Sequence, residues 1–96
     1  MVTMETLREK RAEILTISAK YGVHHIRVFG SVANNAADEH SDVDFLVELE
    51  EERSLLDLGG LLIDLEKLLG CKVDVVTNKG LHWYIRDKVL EEARTI

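Results

Sequence analysis

The stretch that most restricts what this chain can become is Asp42-Val43-Asp44-Phe45-Leu46-Val47-Glu48-Leu49. Its alternation predicts a strand over Asp42–Leu49, because successive side chains of a strand point to opposite faces. Val43, Phe45, Val47 and Leu49 then form a core face, and Asp42 and Asp44 share the other. Residues two apart on a strand lie about 6.5–7 Å from each other, so both carboxylates can converge on one cation or a pair of cations. Carboxylates are costly to desolvate, so their face has to be a solvated cleft or a metal site.

The rest of the chain has to supply a small fold around that strand. With 96 residues the sequence predicts one domain, residues 1–96. A chain of this size hides roughly 60–65% of its unfolded surface, enough for a single core. A net charge of −6 argues against direct nucleic-acid binding, which needs clustered Lys and Arg. It leaves room for a nucleotide substrate whose charge a metal neutralises. The one cysteine, Cys71, excludes an internal disulfide and suggests a reducing compartment. No apolar run approaches membrane-spanning length and no signal-peptide core opens the sequence, so a soluble cytoplasmic protein is expected.

Read in order, Thr3–Tyr21 is predicted as one amphipathic helix, with Leu7, Ile14, Ile17 and Tyr21 near one face and Gly22 just past its end. Val23–Phe29 reads as a strand with Ile26 and Val28 on one face and Arg27 and Phe29 on the other. The adjacent His24 and His25 point to opposite faces and cannot chelate one metal together. Gly30-Ser31 then makes a tight turn into a short helical segment. Its successive N–H groups can cradle an anion, although it is not a Walker loop. Ala36–Ser41 reads as a surface loop, and Glu48, Glu50, Glu51 and Glu52 as a solvent-facing acidic turn.

Ser54 and Asp57 predict a capping box for a Leu-rich helix that ends at Gly70, broad enough in its apolar surface to suggest burial on more than one side. Gly59-Gly60 suggests close backbone packing there. Cys71–Thr77 reads as a third strand in which Asp74 is a lone acid among β-branched residues. It either faces solvent on an edge strand or joins Asp42 and Asp44. His82–Arg94 reads as a last helix, with Leu81, Ile85, Val89 and Ala93 spaced by four, and Trp83 and Tyr84 extending its apolar surface into the core or toward a partner. The expected fold is α/β (α+β): a small mixed β-sheet with helices packed on one face.

Three carboxylates in one cleft repel one another unless a pKa rises or divalent cations intervene. Mg²⁺ suits oxygen ligands and is commonly shared with substrate phosphates. Two such ions can activate an attacking oxygen and stabilise a leaving phosphate. With the Gly-Ser turn as a place for a phosphate tail, the set points to phosphoryl or nucleotidyl transfer.

Gly30-Ser31, ten intervening residues, Asp42-Val43-Asp44, and later Val73-Asp74-Val75-Val76 resemble the nucleotidyltransferase superfamily of the DNA polymerase β type. The short length, Leu68-Leu69-Gly70 and the tail Ile85–Ala93 resemble its minimal nucleotidyltransferases, the antitoxin partners of HEPN-domain RNase toxins. The resemblance implies a nucleotidyltransferase-like fold in which Asp42 and Asp44 bind two Mg²⁺ ions. Asp74 is the third ligand and helps deprotonate the nucleophile, and Gly30 and Ser31 hold the β- and γ-phosphates of ATP. It further implies AMP transfer to a tyrosine of a HEPN toxin, as in a type VII-like toxin–antitoxin pair. The family pattern Gly-Ser-x-Ala-Arg-Gly is broken here by Asn34 and Asn35. By chemistry alone Arg27, Lys72 and Lys79 are the candidates to replace the missing cation. Two other readings stand beside active transfer: an antitoxin that works by occluding its partner, and nucleotidyl transfer to a small molecule or RNA. Homo- and hetero-oligomers both remain open.

Overall fold

The computed structural model describes all 96 residues. The elements in order are α1 (Met4–Glu9), α2 (Arg11–Lys20), β1 (Val23–Phe29), α3 (Gly30–Ala33), β2 (Val43–Leu49), α4 (Leu55–Leu69), β3 (Val73–Thr77), α5 (Trp83–Glu92) and β4 (Arg94–Thr95). The strands form one mixed sheet in the order β3-β2-β1-β4. β1 runs antiparallel to β2 and β4, and β2 runs parallel to β3.

The sheet buries the face that the alternation assigned to the core. Ile26 and Val28 of β1, Val43, Phe45 and Val47 of β2, and Val73 of β3 meet Met4, Leu7, Ile14, Leu61 and Leu65 from α1, α2 and α4. Val32 and Ala33 of α3 complete that core. A buried Val, Leu or Phe contributes roughly 1.5–3 kcal/mol of transfer free energy, so this face carries most of the fold's stability.

Local chemistry sets the helix ends. The Ser54 hydroxyl accepts the Leu56 amide at 3.2 Å, and the Asp57 carboxylate accepts the Ser54 amide at 3.0 Å. Gly70 closes α4 in the left-handed conformation at φ 69°. At the start of α5, Nδ1 of His82 accepts the Tyr84 amide at 3.1 Å. α4 lies against α2 through Gly60, where a Cβ would run into the Tyr21 ring, and Tyr21 donates to Asp64 at 2.7 Å. Gly59 faces open space, so only one glycine of the pair serves close packing.

Four expectations are revised. The first helix breaks at Lys10 (φ −100°, ψ 13°), although backbone bonds from Lys10 to Thr6 and from Ile14 to Lys10 bridge the break and keep Leu7 and Ile14 in the core. The last helix stops at Glu92, Ala93 turns extended, and Arg94–Thr95 pairs with β1 (Arg27↔Thr95, Val28↔Arg94). That pairing covers backbone groups that an edge strand would leave free. The broad apolar surface of α4 is buried on one side alone: Leu61 and Leu65 are in the core, whereas Leu55 and Leu56 are 82% and 88% exposed. Trp83 and Tyr84, at 76% and 77% exposure, do not join the core either.

Candidate active site

The sheet face away from the core is built in rows, because residues paired in register on neighbouring strands point the same way. Phe29, Asp44 and Asp74 form one row, Arg27, Leu46 and Val76 the next. His25 and Glu48 follow, joined at 3.0 Å, and Asn78 donates to Glu48 at 3.1 Å. The first row is the chemically unusual one. It places Asp44 on a central strand, with Asp74 beside it on the edge strand β3. Asp74 is exposed at an edge and, by register, directly opposite Asp44. Asp42 lies one residue ahead of β2 and is exposed.

Asp44 is half-buried, and its carboxyl is pushed up to about 6. Burial is the main cause, followed by the negative charges of Asp74 and Asp42 and by a hydrogen bond that protonated Asp44 gives Asp74. The site is thus short of positive charge. The Cys71 thiol is also held up, by burial and then by the charge of Asp42, so it stays protonated and is no nucleophile at neutral pH.

The Gly30 turn abuts this row. Phe29, the last residue of β1, is the register partner of Asp44, so Gly30 begins α3 beside that carboxylate. Gly30 has φ +72°, and a Cβ there would collide with Oδ2 of Asp44. Only glycine meets both conditions: the left-handed backbone and the close approach of a carboxylate. The turn and the Asp44 carboxylate, apart in the sequence, are therefore adjacent in the fold.

The three acids are brought near one another without being drawn into a tight ligand set: no group of three His, Cys, Asp or Glu side chains is already arranged to grip an ion. The donors nevertheless fit Mg²⁺. They are all carboxylate oxygens, they repel one another, two of the three are exposed, and the ion keeps waters and takes further oxygens from its substrate. A groove of about 680 Å³ lies elsewhere, at the opposite end of the sheet between Glu48–Glu51, the start of α4 and Thr77–Lys79. Lys79, one of the cations considered from sequence, belongs to that groove and not to the carboxylate row.

The model of the nucleotidyltransferase domain family matches residues 7–96. The chain belongs to that family. It is a nucleotidyltransferase of the minimal type, 41% identical to Protein adenylyltransferase MntA of Thermococcus cleftensis over 96% of this chain and 94% of the relative. It is also 44% identical to "Putative protein adenylyltransferase MJ0435" of Methanocaldococcus jannaschii over 91% of this chain and 94% of that one. A solved "putative minimal nucleotidyltransferase" superposes with a TM-score of 0.88 at 46% identity, covering 99% of this chain and 97% of the other. At 19% identity, the same fold recurs in a toxin–antitoxin structure with AMP-PNP, with a TM-score of 0.73 over 86% of this chain and 68% of that chain.

One group near the Gly30 turn has no signal in the sequence. Arg94 donates from Nη1 to the carbonyl of Ala33 at 3.0 Å, across 61 residues. The sequence pattern puts it at the end of a helix, and only the pairing of β4 with β1 brings it to α3.

Proposed function

We propose that this nucleotidyltransferase moves AMP from ATP to a hydroxyl of a partner protein, the acceptor being a tyrosine of a HEPN-domain toxin that the modification silences. The observation that carries the reading is the placement of Asp44 between the Gly30 turn and Asp74. Gly30 and Ser31 take the β- and γ-phosphates of ATP. The acceptor oxygen attacks the α-phosphorus, a new P–O bond forms, the bond to the bridging oxygen breaks, and pyrophosphate leaves. Asp74, exposed and adjacent, takes the hydroxyl proton. Asp42, Asp44 and Asp74 would hold two Mg²⁺ ions, which supply positive charge to the phosphates and relieve the repulsion among the carboxylates. The names of the relatives support protein adenylylation, and the fold shared with a toxin–antitoxin structure supports the kind of partner.

A second reading rests on a separate observation. Trp83 and Tyr84 stand exposed at the start of α5, and large solvent-facing aromatics favour contact with another protein. An antitoxin that occludes its partner would use such a surface without chemistry.

The discriminating experiment follows label from α-phosphate-labelled ATP with Mg²⁺ into protein in an extract of the native cell. Wild type is expected to label a protein band and Asp44→Asn to leave it unlabelled, with mass spectrometry locating AMP on a tyrosine. A partner captured by wild type but never labelled would replace transfer with occlusion.

A further inference from the structure

The backbone of the Gly30 turn can be accounted for carbonyl by carbonyl. Asn34 N–H donates to Gly30 at 3.1 Å, Ala36 N–H to Ser31 at 2.8 Å, and Asn35 N–H to Val32 at 3.3 Å. Ala33 is the remaining residue of α3, it is 3% exposed, and its carbonyl accepts the Arg94 guanidinium. A four-residue helix has no length with which to hold itself together. Ala33 is buried and the bond from Arg94 is part-buried, so losing Arg94 would take away the one side chain that this carbonyl accepts from. Residues Gly30–Ala36 contain no Lys or Arg of their own.

Arg94 is fixed at several points. It pairs with Val28, and Thr95 pairs with Arg27. Ile96 packs against the core, and its carbonyl accepts Nε of Arg11 at 3.2 Å. The segment 94–96 is therefore a strap that ends on β1 and the core and reaches α3 through one side chain. A guanidinium at the carbonyl end of a helix is also favoured by the field of the aligned peptides.

We propose that Arg94 is a positioning residue for nucleotide binding: through the Ala33 carbonyl it holds α3, and so keeps Gly30 and Ser31 in place against Asp44. This rests on the reading that the turn receives the phosphates of ATP. The carboxylates lie on β3 and on or just ahead of β2, whereas the strand of Arg94 pairs with β1. Losing it weakens nucleotide binding and leaves the chemistry of bound nucleotide largely intact.

The test uses the full chain, with Arg94→Ala and Arg94→Lys. Amide hydrogen exchange reads the turn directly. In Arg94→Ala the amides of Asn34, Asn35 and Ala36 are expected to exchange about tenfold faster while those of β2 stay protected, with partial recovery in Arg94→Lys, which keeps a donor. Titration calorimetry with Mg·ATP is expected to show a dissociation constant about tenfold higher for Arg94→Ala, or about 1.4 kcal/mol. The matching kinetic pattern is a raised KM for ATP with kcat within about threefold of wild type. Unchanged exchange at Asn34–Ala36, exchange that quickens equally throughout the sheet, or unaltered Mg·ATP binding in a loosened turn would each overturn the assignment. If wild type itself binds no Mg·ATP while the turn still loosens selectively, the nucleotide reading has failed. The positioning role then falls with it, although the strap does not.

Discussion

Neutralising Asp44 is expected to stabilise the metal-free protein at neutral pH, the reverse of what loss of a half-buried polar group would ordinarily suggest. The Asp44 carboxyl moves from an ordinary 3.8 to about 6 on folding. A gap of about two units corresponds to roughly 3 kcal/mol if fully expressed. Solvent screens a half-buried group, which reduces the effect to about 1–2 kcal/mol. Because the folded value is the higher one, the favourable contribution is complete below about pH 3.8 and is lost as pH rises through about 6. Wild type thus gives up this stability between about pH 4 and pH 7, and Asp44→Asn does not. In EDTA, differential scanning calorimetry should give the variant a Tm higher by roughly 5–15 °C at pH 7.5, with the two curves converging near pH 4. Saturating Mg²⁺ should then raise the wild-type Tm much more than that of Asp44→Asn, since binding to the folded state alone adds stability. A variant less stable than wild type at pH 7.5 without metal would refute the charge-repulsion account. So would a Tm difference independent of pH.

Other substitutions separate packing from chemistry. Gly59→Ala, placed in open space on a helix, should stabilise by about 0.5–1 kcal/mol, whereas Gly60→Ala should destabilise by forcing the Tyr21 ring aside; urea midpoints at equal m-value decide both. Gly30→Ala puts a methyl against the Asp44 carboxylate in a left-handed backbone and should lower AMP transfer on the order of 10²-fold, measured as pyrophosphate release with the partner present. Asp42→Asn and Asp74→Asn should each abolish transfer while leaving the far-ultraviolet circular dichroism unchanged, because both side chains are exposed. Leu55→Ser and Leu56→Ser should move stability by no more than about 0.5 kcal/mol, since neither leucine joins the core.

Period-2 alternation made the middle of the fold legible. It assigned Val43, Phe45 and Val47 to the core and put Asp44 on the open face, and local cap chemistry marked both ends of α4. Gly30 and Asp44 could each be picked out, but their contact depends on pairing Phe29 with Asp44, a register that residues fifteen apart do not reveal locally. The same limit hid Arg94. A two-residue strand has no periodicity, and its pairing is decided by the open edge of β1. Trp83, Tyr84, Leu55 and Leu56 misled in the opposite way, because composition reports that a side chain is apolar but not whether the chain has anything left to cover it. The break at Lys10 left the hydrophobic row intact and so left no trace in the pattern.

These particulars explain how so short a chain can keep an electrostatically unfavourable site. Leu7, Ile14, Leu61 and Leu65, from α1, α2 and α4, all crowd onto one face of the sheet, so the stabilising burial is concentrated there. The other face is consequently free to carry Asp44 and Asp74 side by side on paired strands. Moving either acid one residue along its strand would put it in the core, where no partner could offset the loss of solvation. The cost at Asp44 is of the order of one or two kcal/mol, small beside what a core of this kind contributes, yet a large share of a domain's net stability. Positive charge delivered by the metal and its nucleotide would remove that cost only when substrate is present. On the proposed reading, repulsion at Asp44 disfavours the metal-free site and is relieved on loading, so binding of Mg·ATP would be coupled to folding through this carboxylate.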